Sequence, residues 1–354
     1  MSESLVSSSP HPLISSTEVR KEAHLRLAMD GPVQEAVRDG FAAYRLEHNA
    51  LPELDLEEID LATTFLGKRL RAPLLISGMT GGAQRAREVN RNLAAAAQQC
   101  GIAFSVGSQR AALERPDLRA TYEVRDLAPD ILLFANLGAV QLRRGYGLDQ
   151  CRAAVTMIGA DALTLHLNAL QEALQAQGDT TFAGVTARIA DTCRDLGHSV
   201  TVKEVGWGIS GEVARRLEAA GVSAIDVQGA GGTSWARVEG LRAPTDRLRA
   251  AAEAFASWGI PTPECIVQVR TVCPGMPLIA GGGVRNGVDV AKAVALGADL
   301  VSVAHPFLEP ATRSVAAVVD RIEQFTFELR LAMFATGSAN LRALRGVALH
   351  LQGR

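Results

Sequence analysis

From residue 72 onward, short apolar runs recur along the chain, and most are followed by a longer, Ala-rich stretch with helical spacing. The runs are Pro73 to Ser77, Ile102 to Val106, Ile131 to Ala135, Ala162 to Leu165, Val200 to Lys203, Ala224 to Val227, Leu278 to Ala280 and Leu300 to Val303. Arg85 to Gln99, Asp117 to Leu127, Thr181 to Leu196, Ser210 to Ala220 and Gly287 to Leu296 read as the helices between them. Eight strands alternating with helices predict an α/β fold, a (β/α)8 TIM barrel with an N-terminal extension, in preference to an open doubly wound sheet. The runs look apolar throughout instead of alternating, as expected of strands covered on both faces. Arg237 to Cys273 reads as a helical insertion ahead of the seventh strand.

Three segments follow. Residues 1–17 are a polar, Ser-rich tail expected to be disordered. Residues 18–71 form a lead-in: Arg20-Lys21-Glu22-Ala23-His24 is a candidate basic arm for an anionic substrate, and Gly40 to Arg71 is expected to cap the bottom of the fold. Residues 72–354 make one barrel domain, the site of cofactor binding.

Composition narrows the function classes. Of 354 residues, 47% are hydrophobic and 21% charged, the profile of a globular protein. A net charge of -2 offers no basic field for nucleic acid. No apolar run is long enough to cross a bilayer, so no membrane partner is expected. The N-terminus lacks the basic-then-apolar layout of a secretory signal. Cys100, Cys151, Cys193, Cys265 and Cys273 are odd in number and never spaced C-x-x-C. They read as small buried hydrophobes, which fits a reducing cytoplasm.

In such a barrel the residues just past each strand share one face. The densest cluster follows strand four, in Asp161 to Glu172, DALTLHLNALQE. His166, Asn168, Gln171 and Glu172 supply a ring nitrogen, two carboxamides and a carboxylate, a set that orients a polar substrate and holds a hard cation through Glu172. After strand one, Gly78, Met79 and Thr80 open a glycine-containing turn that lets backbone approach a flat ligand. Strand two is followed by Ser108 and Arg110, whose guanidinium suits phosphate, and strand three by Asn136. Lys203 ends strand five, where it would stabilise negative charge on a reduced flavin ring. The turns holding Thr233, Gly282-Gly283 and Ala304-His305 follow strands six to eight, where barrels commonly hold phosphate on backbone N–H groups. Singly, each feature is an ordinary turn, cap or salt-bridged lysine. Their convergence on one mouth points to a flat, phosphate-bearing cofactor, FMN; no G-x-G-x-x-G follows an early strand to suggest a dinucleotide site.

These motifs resemble one family, the FMN-dependent, type 2 isopentenyl-diphosphate isomerases. The resemblance rests on Arg20-Lys21-x-x-His24, Met79-Thr80-Gly81-Gly82, Gly107-Ser108-Gln109-Arg110, Ala135-Asn136-Leu137-Gly138, HLNALQE, Val202-Lys203-Glu204-Val205-Gly206 and Gly229 through Ala236. It covers nearly the whole chain after the tail. It implies interconversion of isopentenyl and dimethylallyl diphosphate, with FMN, Mg2+, and NADPH as the reductant of FMN. It implies FMN contacts from Gly78, Met79, Thr80, Ser108, Asn136, Lys203, Thr233, Gly282, Gly283, Ala304 and His305. Substrate contacts fall to Arg20, Lys21, His24, Ser108, Arg110, Asn168 and Gln171, and the metal to Glu172. A homo-oligomer, tetramer or octamer, is expected too. Two positions depart from the family pattern: Ala169 stands where proline is usual, and His305 where arginine is common.

The reaction so implied moves a double bond without net redox change, and it requires a dry site with an acid near an unactivated alkene. Reduced FMN is expected to be the main acid–base group through N5, with His166 and Gln171 orienting substrate and relaying protons. Two rivals share parts of the pattern. A 2-hydroxy-acid oxidase or dehydrogenase would use the glycine turns and Lys203 but not the Arg20-Lys21 arm or the Gln171-Glu172 pair. A non-catalytic flavin or phosphate sensor would bind without turnover.

Overall fold

The computed structural model describes residues 16–30, 33 and 40–352. Residues 1–15, most of the expected tail, lie outside the described residues, as does the side chain of Arg20.

Eight parallel strands close into a barrel. They are β1 (Leu74–Ile76), β2 (Ala103–Ser105), β3 (Leu133–Gly138), β4 (Ala162–His166), β5 (Ser199–Lys203), β6 (Ala224–Asp226), β7 (Leu278–Gly281) and β8 (Leu300–Val303). Closure is direct: Val301, Ser302 and Val303 of β8 pair with Leu74, Leu75 and Ile76 of β1. The chain is a (β/α)8 TIM barrel, as its periodicity predicts. Asn136 lies inside β3 and not past its end, because β3 runs three residues beyond the apolar run that marked it.

The strands are not apolar throughout. Outward residues such as Leu74, Ile76, Leu163, Leu165, Val200 and Val202 pack under the helices. Inward residues change character along the barrel axis. At the lower level Leu75, Ala103, Phe134, Ala162, Ala224, Ile279 and Leu300 form an apolar plug. Two residues further along the same strands come Ser77, Ser105, Asn136, Thr164, Asp226 and Ser302, all buried. Alternation of side chains makes this a polar floor facing the C-terminal mouth; Thr164 and Thr201 hydroxyls meet across it at 2.9 Å.

The lead-in seals the other end. Strands Thr63–Phe65 and Lys68–Leu70 form a hairpin whose Phe65 and Leu70 join the apolar plug. Its two-residue turn, Leu66-Gly67, has φ of 45° and 79°, the left-handed pair that suits the twist of a tight hairpin. A clamp recurs at this end. Asp161, ahead of β4, accepts from Leu133 N and from Arg125 Nη2, both at 2.9 Å. Asp299, ahead of β8, accepts from Leu278 N at 2.9 Å and Arg270 Nη2 at 3.0 Å. Both aspartates end a Gly-Ala-Asp triplet whose glycine is left-handed, φ 58° at Gly159 and 119° at Gly297.

Helices Gln84–Cys100, Val185–Asp195, Gly211–Ala219 and Gly287–Leu296 occur within a few residues of their expected bounds. The helix expected over Asp117 to Leu127 does not form; a 3-10 turn, Pro116–Thr121, takes its place. Side chains claim the backbone there: Asn90 Nδ2 donates to Thr121 O at 2.8 Å, and Thr121 Oγ1 donates to Leu118 O at 2.7 Å. The region read as one insertion contains two extra helices, Trp235–Leu241 and Asp246–Ala254, followed by Thr262–Val272, the regular helix between β6 and β7.

Candidate active site

A cavity of about 800 Å³ opens at the C-terminal mouth of the barrel. Its floor is polar and interlocked. Asp226 Oδ2 accepts from Ser302 Oγ at 3.0 Å and Gln228 Nε2 at 2.9 Å, and Gln228 Nε2 reaches Ser77 Oγ at 3.4 Å. Lys203 is paired in register with Asp226 on the neighbouring strand, and its Nζ donates to the Glu204 carbonyl at 2.8 Å. Burial lowers the Lys203 pKa against the pull of Asp226 and Glu204, and burial raises that of Asp226 against Lys203. Each charge thus depends on the other. Glu204 Oε2 accepts the backbone N–H groups of Val205, Gly206 and Trp207 at 2.6, 2.7 and 2.5 Å, curling the following loop around one oxygen. Burial nevertheless pushes Glu204 up to about 7.

His166, the last residue of β4, places Nδ1 2.9 Å from Asn136 Oδ1. Asn136 Nδ2 donates to Val106 O at 3.0 Å, which fixes the amide and makes Oδ1 the acceptor. We therefore assign the proton to Nδ1, leaving Nε2 with a lone pair. Burial first, then the charges of Lys203 and Lys21, pushes the His166 pKa down to about 3, so the ring is neutral near pH 7.

The loop after β4 and the N-terminal helix, Ser16–Asp30, form one wall. Gln171 Nε2 donates to Glu239 Oε1 at 3.1 Å; Asn168 Nδ2 donates to Gln171 Oε1 at 3.3 Å and Glu172 Oε1 at 2.9 Å. Glu239, on the inserted helix Trp235–Leu241, also pairs with His24 Nε2 at 3.0 Å and takes Arg242 Nη1 at 2.8 Å on its other oxygen. The His24 ring stands edge-on to Trp235, centroids 5.2 Å apart. Lys21 Nζ donates to Ser108 O at 2.8 Å and contacts the buried Tyr122 hydroxyl at 2.5 Å. Arg110 is held by Glu114 at 2.7 Å and, with Glu172, lines the same cavity.

The opposite wall is backbone. A Cβ on Gly282, φ 97°, would stand 2.0 Å from Gly229 O, and one on Gly232 would stand 2.9 Å from Gly283 N. The two loops thus meet main chain to main chain, with Thr233, Gly283, Ala304 and His305 on the cavity surface. Burial lowers the His305 pKa, and Arg285 pushes it further the same way. Arg285, Arg313 and Arg321 line the cavity, and Arg285 bridges the loops through Gly231 O at 2.7 Å and Gly283 O at 3.0 Å.

Every candidate residue named from the sequence lines this cavity, apart from Arg20, whose side chain is outside the described residues. Asp226, Gln228, Glu239, Trp235, Arg285 and Ser302 were missed. Asp226 and Ser302 carry only a faint signal, a polar residue between apolar neighbours in a strand-like run; Arg285 stands two residues past a glycine triplet. Glu239 has none short of the fold itself.

The donor set suits FMN. Lys203, Asn136 and Gln228 line the floor with polar groups suited to ring heteroatoms, and Arg285 with the glycine turns would suit a phosphate. The volume is that of a site for a molecule of this size. Among the described residues no three His, Cys, Asp or Glu side chains converge on a metal position. A single carboxylate such as Glu172 suits a cation like Mg2+, which commonly completes its shell with water and phosphate oxygens.

Comparison with known proteins agrees. Residues 26–116 and 147–351 match the family model described as FMN-dependent dehydrogenase. A protein of Nostoc sp. named isopentenyl-diphosphate delta-isomerase is 51% identical over 330 residues, covering 93% of this chain and 94% of the relative. The chain belongs to the isopentenyl-diphosphate delta-isomerase family. Isomerases of Xanthobacter autotrophicus and Stutzerimonas stutzeri are each 56% identical, over 93% of this chain and 96% of the relatives. Among solved structures, a mandelate oxidase mutant bearing an FMN monooxide adduct superposes with a TM-score of 0.63 at 20% identity, over 93% of this chain and 92% of the other. At that identity the likeness is one of fold. No helix among the described residues is long and apolar enough to cross a membrane.

Proposed function

We propose that the protein interconverts isopentenyl and dimethylallyl diphosphate, with FMN kept reduced by NADPH, and Mg2+ held at Glu172. The observation that carries this is the wall built from two distant segments. His24 and Gln171 share the carboxylate of Glu239, which sets the N-terminal helix beside the β4 loop. Lys21, Ser108, Arg110 and Glu172 thereby line one cavity with Lys203 and the glycine turns. An acidic diphosphate needs cations at one end, which this cavity offers, and its hydrocarbon needs a flat apolar neighbour at the other, which FMN would supply.

When bound, reduced FMN supplies the acid–base group and an electron-rich face for positive charge developing on carbon. The chain does the rest. Lys203, balanced by Asp226, stabilises negative charge at the floor. His166 is neutral and its Nδ1 proton is committed to Asn136, so Nε2 orients by accepting a hydrogen bond and does not serve as the resting acid. Arg110 and the Lys21 side chain neutralise diphosphate, and that remote binding energy positions the reacting carbons. Gln171, its amide fixed by Glu239, holds the side of the hydrocarbon. Exposed Phe327 and Leu331, one turn apart on helix Val315–Phe334, support assembly of identical chains.

The test is anaerobic incubation of purified protein with FMN, NADPH, Mg2+ and isopentenyl diphosphate. The allylic isomer should form without stoichiometric consumption of NADPH. Oxidation of a 2-hydroxy acid with one flavin reduced per substrate, and no isomer, would place the protein with the oxidases instead.

A further inference from the structure

Asn168 is the residue before helix Ala169–Leu174, a position where an asparagine oxygen normally caps the helix by accepting a backbone N–H. Here its side chain makes no capping bond. The residue is 5% exposed, and Oδ1 has no hydrogen-bond partner. Nothing therefore acts on the oxygen of this amide. Its orientation is set wholly from the nitrogen side, where Nδ2 sits 2.9 Å from Glu172 Oε1 and 3.3 Å from Gln171 Oε1. The Gln171 oxygen is aimed there because Glu239 holds the other end of that amide at 3.1 Å. Two oxygens converge on a weakly positive group, which occupies the place of a counter-ion.

The geometry points to Asn168 as a second oxygen ligand of the divalent cation, reached by a half-turn of its amide. This rests on the reading of Glu172 as the cation's carboxylate. The half-turn puts Oδ1 where Nδ2 now lies, so Asn168 and Glu172 oxygens would be separated by the 2.9 Å that already separates Nδ2 from Oε1. Neighbouring ligands of an octahedral ion with bonds near 2.1 Å stand about 3 Å apart. Without the ion, two facing oxygens repel and the amide nitrogen is drawn between them. With the ion, the oxygens have their positive partner and the amide is released to turn. Asn168 then adds affinity without adding charge, and the remaining positions are left for water and the diphosphate.

Mn2+ is the probe, titrated into FMN-loaded protein with inorganic pyrophosphate present, and free Mn2+ is read by electron paramagnetic resonance. No turnover is involved, and flavin absorbance checks that each variant is folded. N168L should weaken Mn2+ binding about tenfold. N168D, the same shape with two oxygens and no hydrogen to donate, should bind as tightly as the unaltered protein or tighter. If N168D loses as much as N168L, the amide acts only as a donor to Glu172 and the proposal is wrong; N168L binding like the unaltered protein overturns it equally. E172Q separates the two levels: loss there with none in N168L removes Asn168 alone, whereas no loss in E172Q removes Glu172 and the cation site together. Should N168L fail to retain FMN, N168D against the unaltered protein decides the matter.

Discussion

His24 and Glu239 are 215 positions apart in sequence and meet at 3.0 Å. Glu239 is an acceptor, so His24 Nε2 carries the hydrogen; Arg242 Nη1, also 3.0 Å from that nitrogen, gives its own hydrogen to the second carboxylate oxygen. Burial works to raise the Glu239 pKa, but the hydrogen bonds and charges of His24, Gln171 and Arg242 outweigh it and hold the group below the usual carboxylate range. E239A would leave two half-buried cationic or donor groups, His24 and Arg242, and the Gln171 amide without their acceptor. The expected cost is roughly 2–5 kcal/mol in seating the helix. It should emerge as a rise of about tenfold or more in KM for the diphosphate, with FMN affinity within twofold. Equal losses of FMN and substrate would show instead that the whole mouth had collapsed.

Lys203 and Asp226 make the reverse case, a pair that bears on the cofactor first. K203A removes the donor at the floor and leaves Asp226 buried among Gln228 and Ser302 without its counter-charge. FMN affinity should fall by roughly 1.5–3 kcal/mol, about tenfold to a hundredfold, the range for a hydrogen bond to a charged group. Equilibrium titration of the apoprotein with FMN measures it. Unchanged affinity together with an unchanged flavin spectrum would remove Lys203 from the site.

The outline of this site is legible in the sequence because its motifs are local. Gly78-Met79-Thr80, the HLNALQE stretch and the glycine turns each lie directly after an apolar run, and a barrel places such points on one face. Asp226 and Ser302 were hidden for a physical reason: each stands inside a short strand between apolar neighbours, and only closure of the barrel reveals that its position faces inward. Glu239 belongs to an inserted helix whose packing against both the N-terminal helix and the β4 loop exists only in three dimensions. The helix expected from residue 117 failed because propensity gave way to Asn90 and Thr121, side chains that bond the carbonyls of Thr121 and Leu118, groups a helix would use.

A pH experiment isolates His166. Its pKa falls from the ordinary 6.5 to about 3 in the folded state. Between those values the unfolded chain binds a proton that the folded one does not, so this residue makes stability fall as pH falls, by up to about 1.4 kcal/mol per unit. Glu204, raised to about 7, binds its proton more readily when folded and so gives the opposite slope between 4.5 and 7. The total curve mixes the two; the difference between the unaltered protein and H166N does not. Urea unfolding at pH 7 and pH 5 should show H166N losing less stability on acidification. An identical loss in both proteins would mean that His166 is protonated in the fold.

Two glycines with similar backbone strain should separate fold from site. Gly67, φ 79°, turns the bottom hairpin, and a Cβ there meets nothing within 4 Å. G67A carries only the left-handed penalty, about 1–2 kcal/mol, and sits at the end of the barrel away from the mouth. Gly282, φ 97°, carries the same kind of strain plus a Cβ 2.0 Å from the Gly229 carbonyl, a contact backbone cannot relieve without parting the two loops that face the phosphate position. G67A should therefore lower the melting temperature by a few degrees and leave the FMN dissociation constant unchanged. G282A should weaken FMN by more than tenfold, because parting the loops moves the N–H groups and the Arg285 bridge together. The two variants measured side by side, by thermal melt of the apoprotein and by FMN titration, test the assignment: G282A binding FMN like G67A would place the phosphate elsewhere.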